Sequence, residues 1–242
     1  MLSLDAGTPS KSADRIGAHV AGLVRDGDRI QIGIGKVPNA VLASLRNHRR
    51  LACHGGLLGD AVIELDEAGA LDQTADKVCT SVIGTERIYD WVRDRKEVKV
   101  LPVRKTHDVR ILGDLKSFIA INSALSVDLG GQANAETIDG RQVGGCGGLP
   151  DFARGANLSE GGRSVLALPS TANRGNISRI IPQIGNDAVS CPRIDVDYIV
   201  TEFGVADLRR RSLDERAEAL ISIAHPKFRG ELSRAWDEKR CC

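Results

Sequence analysis

Two glycine-rich turns and two histidines are the parts of this chain whose residue types and spacing could do chemistry. Gly33-Ile34-Gly35 follows a segment in which Ile30, Ile32 and Ile34 alternate as a strand does. Glycines there let a ligand approach the backbone, and the helix that follows offers free N–H groups to an anion. A dinucleotide fingerprint needs a third glycine at position 38, where this chain has Pro38. That argues against a Rossmann NAD site and leaves an anion-binding turn or a plain tight turn. The second turn, Gly144-Gly145-Cys146-Gly147-Gly148, places four glycines in five residues ahead of Leu149-Pro150-Asp151-Phe152. Consecutive backbone N–H groups in such a loop can hold a phosphate or stabilise a thioester oxyanion. The alternative is a flexible turn, against which Pro150 and the flanking apolar residues argue.

His54 ends a short apolar segment and precedes two glycines, and His107 sits in Lys105-Thr106-His107-Asp108. Neither has the spacing of a metal pair, so each is a ligand contact or a hydrogen-bonded structural histidine. Cys146 has a nucleophile's chemistry but no base nearby in the sequence. Glu136 and Glu202 follow strand-like segments and could reach a cleft, with a capping or solvated role as the alternative. Arg209-Arg210-Arg211 reads as a solvated approach to a helix.

The elements that must position these groups alternate. A helix is expected over Asp14 to Val24, with Ser12 as its cap, then a strand over Arg29 to Ile34 and a helix continuing through Ala40 to Leu45. Leu51 to His54, Lys77 to Ile83, Val98 to Val103, Phe118 to Asn122, Leu125 to Leu129, Ser164 to Leu168 and Tyr198 to Thr201 read as strands. Ala61 to Ala68 reads as a helix closed by Gly69, and Glu86 to Val92 as another. Further helices are expected over Ser212 to Ala224, with Leu213, Ala217, Leu220 and Ile221 inward, and over Phe228 to Trp236. Such alternation predicts an α/β fold, a largely parallel sheet with helices on both faces. Gly130 to Gly162 resists assignment and reads as ordered functional loops anchored by Leu149, Phe152 and Leu158.

Composition narrows the function classes. The 242 residues can bury a sizeable core without staples. Thirty-three basic against 32 acidic residues give a formal charge of +1, which argues against nucleic acid or an anionic membrane as partner. Aromatics at 3% leave no stacking platform. The six cysteines (Cys53, Cys79, Cys146, Cys191, Cys241 and Cys242) form no metal-spaced set and read as reduced thiols of a cytoplasmic protein. Cys241 and Cys242 are expected to be exposed and oxidisable. No secretory signal or membrane-length apolar run is expected.

Several segments carry a resemblance in order along the chain. They are Gln31-Ile-Gly-Ile-Gly35 with Pro38-Asn-Ala-Val-Leu42, Ile121-Asn-Ser-Ala-Leu125 with Val127-Asp-Leu129, and Gly131-Gln-Ala-Asn-Ala-Glu136. Gly147-Gly148 before Asp151-Phe152, Leu166-Ala-Leu-Pro-Ser-Thr171, Asp195 to Gly204 and Ile223-Ala-His-Pro226 complete them. From about Asp14 to about Leu232 the chain resembles the C-terminal domain of the acetyl-CoA hydrolase/transferase family, which includes acetate and 4-hydroxybutyrate CoA-transferases. The resemblance implies a CoA-transferase-like (NagB/RpiA-like) domain over 14–242, preceded by an N-terminal extension over 1–13. It implies short-chain acyl-CoA and a carboxylate as substrates, coenzyme A as substrate with no permanently bound cofactor, and no metal. The family's enzymes carry a related N-terminal domain ahead of this one. The chain therefore reads as a stand-alone half, a subunit with an N-terminal-half partner, or a truncated product, with homo-oligomers as the family's habit.

In the family a glutamate attacks the thioester to give an acyl anhydride. CoA thiolate returns to form a glutamyl-CoA thioester, and an incoming carboxylate takes over the CoA. That glutamate lies two residues after a histidine, ahead of an aspartate and a helix. Here the segment reads His54-Gly55-Gly56-Leu57-Leu58-Gly59-Asp60, which puts Gly56 at the nucleophile's position. His107 stands where the transferases usually carry an asparagine near the active site. Gly33, Ile34, Gly35, Gly147 and Gly148 match CoA-contacting and oxyanion-forming loops, His54 keeps its family identity, and Glu136 matches a frequent family residue. Three readings follow from the resemblance. The first is hydrolysis by a water that His54, His107 or Glu136 activates, or transfer with a partner's glutamate. The second is a CoA- or acyl-CoA-binding subunit without chemistry of its own, and the third a small-metabolite sensor.

Overall fold

The computed structural model describes residues 10–33 and 35–240, so the expectations placed on Ile34, Cys241 and Cys242 lie outside the described residues. The strands that matter here are β1 (Arg29–Ile32), β2 (Ala52–Cys53), β3 (Lys77–Cys79), β4 (Val98–Val100), β5 (Phe118–Ser123), β6 (Arg163–Ala167), β7 (Tyr198–Thr201) and β8 (Gly204–Asp207). In space the main sheet runs β8-β7-β6-β5-β1-β2, every pair parallel except β8 on β7. A single bridge from His54 to Val78 brings β3 beside β2, and β4 pairs parallel to β3.

The chain enters the sheet at β1, travels outward through β2, then returns to β5 on the other side of β1. The strand order reverses between β1 and β5, and ligands of open α/β sheets bind beyond the carboxyl ends of the strands at such a point.

Helices cover both faces. α1 (Lys11–Ala21) and α2 (Lys36–Ser44) bury Ile16, Val20, Val37 and Val41 against Ile30, Ile119, Ile121 and Val165. α3 (Ala61–Glu67) and α4 (Glu86–Arg93) extend that layer past β2. Two short helices, α5 (Val103–Thr106) and α6 (Val109–Asp114), lead into β5. On the opposite face α7 (Leu149–Leu158) packs Phe152 and Ala156 on Phe118 and Ala120. α8 (Leu213–Ile223) and α9 (Pro226–Arg240) pack Ala217, Leu220 and Trp236 in a cluster with Leu166 and Ile199. At the amino ends of the strands, Asp28 and Arg163 form a buried ion pair that joins β6 to the turn before β1.

Several expectations need correction. The first helix starts at Lys11, not Asp14, and its cap is Ser10, whose hydroxyl accepts from the Ala13 N–H at 3.2 Å. Lys77 to Ile83 is two strands: β3, and Ser81–Val82, which pairs with Leu57–Leu58. The strand expected over Val98 to Val103 stops at Val100. Ser126–Asp128, read as a sheet strand, joins a separate three-stranded sheet with Ala133–Asn134 and Ile180–Ile181. Leu213 is 47% exposed as the first residue of α8, and Ile223 is buried at its other end. Within the Gly130 to Gly162 stretch lies α7, whose end leaves Leu158 62% exposed and not an anchor. Cys53, Cys79, Cys146 and Cys191 are free thiols, and no helix among the described residues is long and apolar enough to cross a membrane.

Candidate functional site

The carboxyl ends of β1, β2 and β5 converge on the α7 side of the sheet. Gln31 and Asn122, on adjacent strands, exchange two amide hydrogen bonds: Gln31 Nε2 donates to Asn122 Oδ1 at 3.2 Å, and Asn122 Nδ2 donates to Gln31 Oε1 at 2.9 Å. This pair spans the point where strand order reverses. It also fixes the floor beneath the glycines: a Cβ on Gly55 would lie 3.3 Å from Gln31 Cγ, and one on Gly33 3.7 Å from Asn122 Oδ1. Gly35 caps α2 at φ +116°, a backbone state only glycine adopts without strain.

His54 follows β2 and is 5% exposed. Its Nε2 donates to the Thr106 carbonyl at 3.1 Å. A carbonyl only accepts, so His54 carries its proton on Nε2. The Thr106 hydroxyl is also hydrogen-bonded to His107 Nδ1 at 2.8 Å, with Thr80 Oγ1 bonded to the same oxygen. Thr106 thus orients both imidazoles at once. The His107 ring stacks tilted on Phe152, with centroids 4.5 Å apart. Its Nε2 edge faces two glycines: a Cβ on Gly56 would stand 3.5 Å from Nε2, and one on Gly148 only 2.5 Å. Gly148 caps α7, whose first N–H groups have no partner within the helix. Gly147 just before it sits at φ +55°. A neutral imidazole, an open backbone position at Gly56 and a helix N-terminus therefore meet in one place.

Burial pushes the His54 pKa down, opposed by the bond to the Thr106 carbonyl. Burial pushes His107 down as well, with the charge of Asp151 opposing. Both side chains are neutral near pH 7. In the unfolded chain each would titrate near 6.5, so below that pH the unfolded state binds more protons than the folded one. Stability is therefore expected to be fully present above about pH 6.5 and to fall as pH drops through the depressed folded values. Thermal melting at about pH 7.5 and 5.5 should show a lower Tm at the acid end, with a shallower slope in His54→Gln. A melting temperature flat across that window would contradict it.

Among the sequence-predicted residues, Gly56, His107 and Gly148 meet within contact distance, His54 joins them through Thr106, and Gly33 lies over Asn122, whose partner Gln31 lies beneath Gly55. Ile34 lies outside the described residues. Glu136 belongs to another network. Its carboxylate accepts from Ser190 Oγ at 2.8 Å and Gln142 Nε2 at 2.9 Å, bonds that hold it below the usual carboxylate range. Its carbonyl accepts from the N–H groups of Val143 and Gly144. Glu136 thus ties down the base of the glycine loop, and among the described residues no hydrogen bond links it to His54 or His107. Glu202 accepts from the Ser170 N–H and hydroxyl at 2.8 and 2.7 Å, a capping role. Arg209 pairs with Asp207 and stacks on Tyr198 at 4.5 Å.

Sequence reasoning did not single out the Gln31–Asn122 pair, Thr106 or Phe152 as site residues. A signal existed for the first. Strands buried on both faces read as continuous apolar runs, and Gln31 and Asn122 each interrupt one.

A largely parallel sheet with a helix N-terminus and a neutral histidine near its switch point defines an α/β protein with a candidate crevice for an anion. The chain belongs to the acetyl-CoA hydrolase/transferase family, whose C-terminal domain model matches residues 84–236. It is 41% identical over 231 residues to the 4-hydroxybutyrate coenzyme A transferase of Clostridium kluyveri, covering 93% of this chain and 54% of that protein. It is 32% identical to an acetyl-CoA hydrolase of Candida albicans, over 86% of this chain and 40% of that one. The crystal structure of RipA from Yersinia pestis superposes with a TM-score of 0.94 at 35% identity, covering all of this chain and 56% of that one. The chain thus spans about half the length of the transferase and of RipA.

Proposed function

We propose that this chain handles short-chain acyl-CoA thioesters and cleaves them with water where its family uses a glutamate. The observation that carries this reading is the placement of His107 Nε2 over Gly56, where a side chain would otherwise begin. In the tautomer with the proton on Nδ1, that N–H donates to the Thr106 hydroxyl oxygen, the Thr106 O–H turns to Thr80 Oγ1, and Nε2 keeps its lone pair toward that space. A water there gives its proton to Nε2 and its oxygen to the thioester carbonyl. Collapse of the tetrahedral intermediate expels CoA thiolate, which takes the proton back from His107 and leaves as the thiol. The developing oxyanion has the N–H groups of Gly147, Gly148 and Asp151 as donors, because Leu149 N–H is bonded to the Cys146 carbonyl and Pro150 has none. Coenzyme A enters along Gly33 and Gly35, a carry-over from the family resemblance.

Thiol release from acetyl-CoA and butyryl-CoA, with and without acetate, tests this. Release independent of acetate, falling about 100-fold or more in His107→Gln, is expected of a general base. Release that needs acetate, or that ignores His107, removes the hydrolytic reading. The second reading is a CoA-binding half that needs an N-terminal-half partner. The chain's coverage of about half of each relative favours it. Binding without turnover, with turnover appearing only on addition of that half, would select it.

A further inference from the structure

Arg179 is a half-buried arginine without an anion. Its N–H donates to the Ser170 carbonyl at 2.9 Å and its own carbonyl accepts from Val127 at 2.8 Å. These bonds set it just beyond the carboxyl ends of β6 and β5. Its side chain reaches the Ala124 carbonyl through Nη1 at 3.3 Å, a long bond two residues beyond Asn122. Nε is buried and finds no acceptor among the described residues. A guanidinium carries five N–H donors, so most of this one is unspent. No carboxylate among the described residues lies within ion-pair distance of it. Glu202, bonded to the neighbouring Ser170 through both oxygens, is already committed.

The contrast with Arg163 is informative. That arginine is 4% exposed, and the fold supplies Asp28 as its partner. Burial draws both guanidinium groups below the usual arginine value, but for Arg179 no neighbouring charge opposes the effect. Buried charges are kept when they are paired, because desolvating a lone one is costly. A half-buried arginine left unpaired beyond the carboxyl ends of parallel strands is the arrangement that a substrate anion completes, and its planar fork suits a carboxylate or a phosphate.

We propose that Arg179 anchors a substrate oxyanion beyond the carboxyl ends of β5 and β6, on the segment that follows Asn122. The proposal rests on the acyl-CoA reading, within which the oxyanion comes from one of two sources. Either it is the carboxylate of the free acid, or it is a phosphate of coenzyme A. Arg179 positions that group and takes no part in bond making.

Affinities of butyrate and of coenzyme A, each measured separately by calorimetry or ligand-observed NMR on the full chain, decide it. Wild type is compared with Arg179→Gln and Arg179→Lys, with a melting temperature for each. Arg179→Gln is expected to weaken one probe about tenfold or more and leave the other within about twofold, with Lys recovering part of the loss. Loss of butyrate assigns the carboxylate, and loss of coenzyme A assigns the phosphate. Unchanged affinity for both overturns the proposal, as does equal weakening of both with a lowered Tm, which marks a structural arginine. If Arg179→Gln does not fold, Arg179→Lys is read alone, since it keeps the charge and loses the fork. Wild type that binds neither probe sinks the acyl-CoA reading itself, whereas wild type that binds both, with variants to match, sinks only the role of Arg179.

Discussion

Gly56→Glu is expected to gain exchange of CoA between butyryl-CoA and acetate, by at least about 100-fold over the parent chain. Removing a covalent nucleophile costs on the order of a million-fold in kcat, so restoring one into an intact site should recover a readable part of that. The backbone permits the change. Gly56 is absent from the residues held at positive φ, and its carbonyl is fixed by the N–H groups of Thr80 and Ser81 at 3.0 Å. A new Cβ meets His107 at 3.5 Å and Phe152 at 3.9 Å, ordinary contact distances. The carboxylate would emerge beside a neutral imidazole and near the N-terminus of α7, where negative charge is favoured. Attack by that carboxylate on butyryl-CoA, followed by return of the thiolate, leaves CoA on the protein as a glutamyl thioester and releases butyrate. Intact-protein mass spectrometry after incubation without acceptor should show the adduct, and kinetics with acetate should be ping-pong. A variant that binds CoA yet forms no adduct would mean that this half lacks groups the chemistry needs from elsewhere.

What could be read from the chain alone follows from how local each signal is. The strand, glycine turn and helix from Arg29 to Ser44 are legible because apolar alternation and Gly35 both act within a few residues. The start of α8 is legible for the same reason, as the Ser212–Glu215 capping box is local. By contrast, α7 hides behind its glycines. Gly155 sits in its middle because Leu112 of α6 packs directly where a Cβ would be, and that crossing is invisible to any window on the sequence. Lys77 to Ile83 reads as one strand because the break is tertiary: Thr80 and Ser81 both turn their N–H groups to Gly56. The site divides in the same way. Its glycines and histidines announce themselves by type, whereas Gln31 and Asn122 are 91 residues apart and become a pair only once β1 and β5 are neighbours.

Gly148→Ala is expected to cut thioester cleavage about 100-fold while leaving the chain folded, because it moves His107 and not the sheet. The methyl group would fall 2.5 Å from His107 Cδ2 and Nε2 and 2.6 Å from Phe152 Cε2, closer than any real contact. Its φ of −86° suits alanine, so the cost is one of space and not of backbone strain. Phe152 is 3% exposed and held between His107 and Phe118, with centroids at 4.5 and 6.4 Å, and has little room to yield. His107 is the freer partner, anchored by one hydrogen bond to Thr106, and so the ring swings away from Gly56. Overpacking of this kind costs about 1–3 kcal/mol of stability, and a displacement of about 1 Å at a reacting group can cost 100-fold in rate. The two effects separate experimentally, since Tm reads the first and thiol release under saturating acyl-CoA reads the second. Full activity in a folded Gly148→Ala chain would show that His107 does not act from where it stands over Gly56, and the base would have to be sought on another side chain of the crevice.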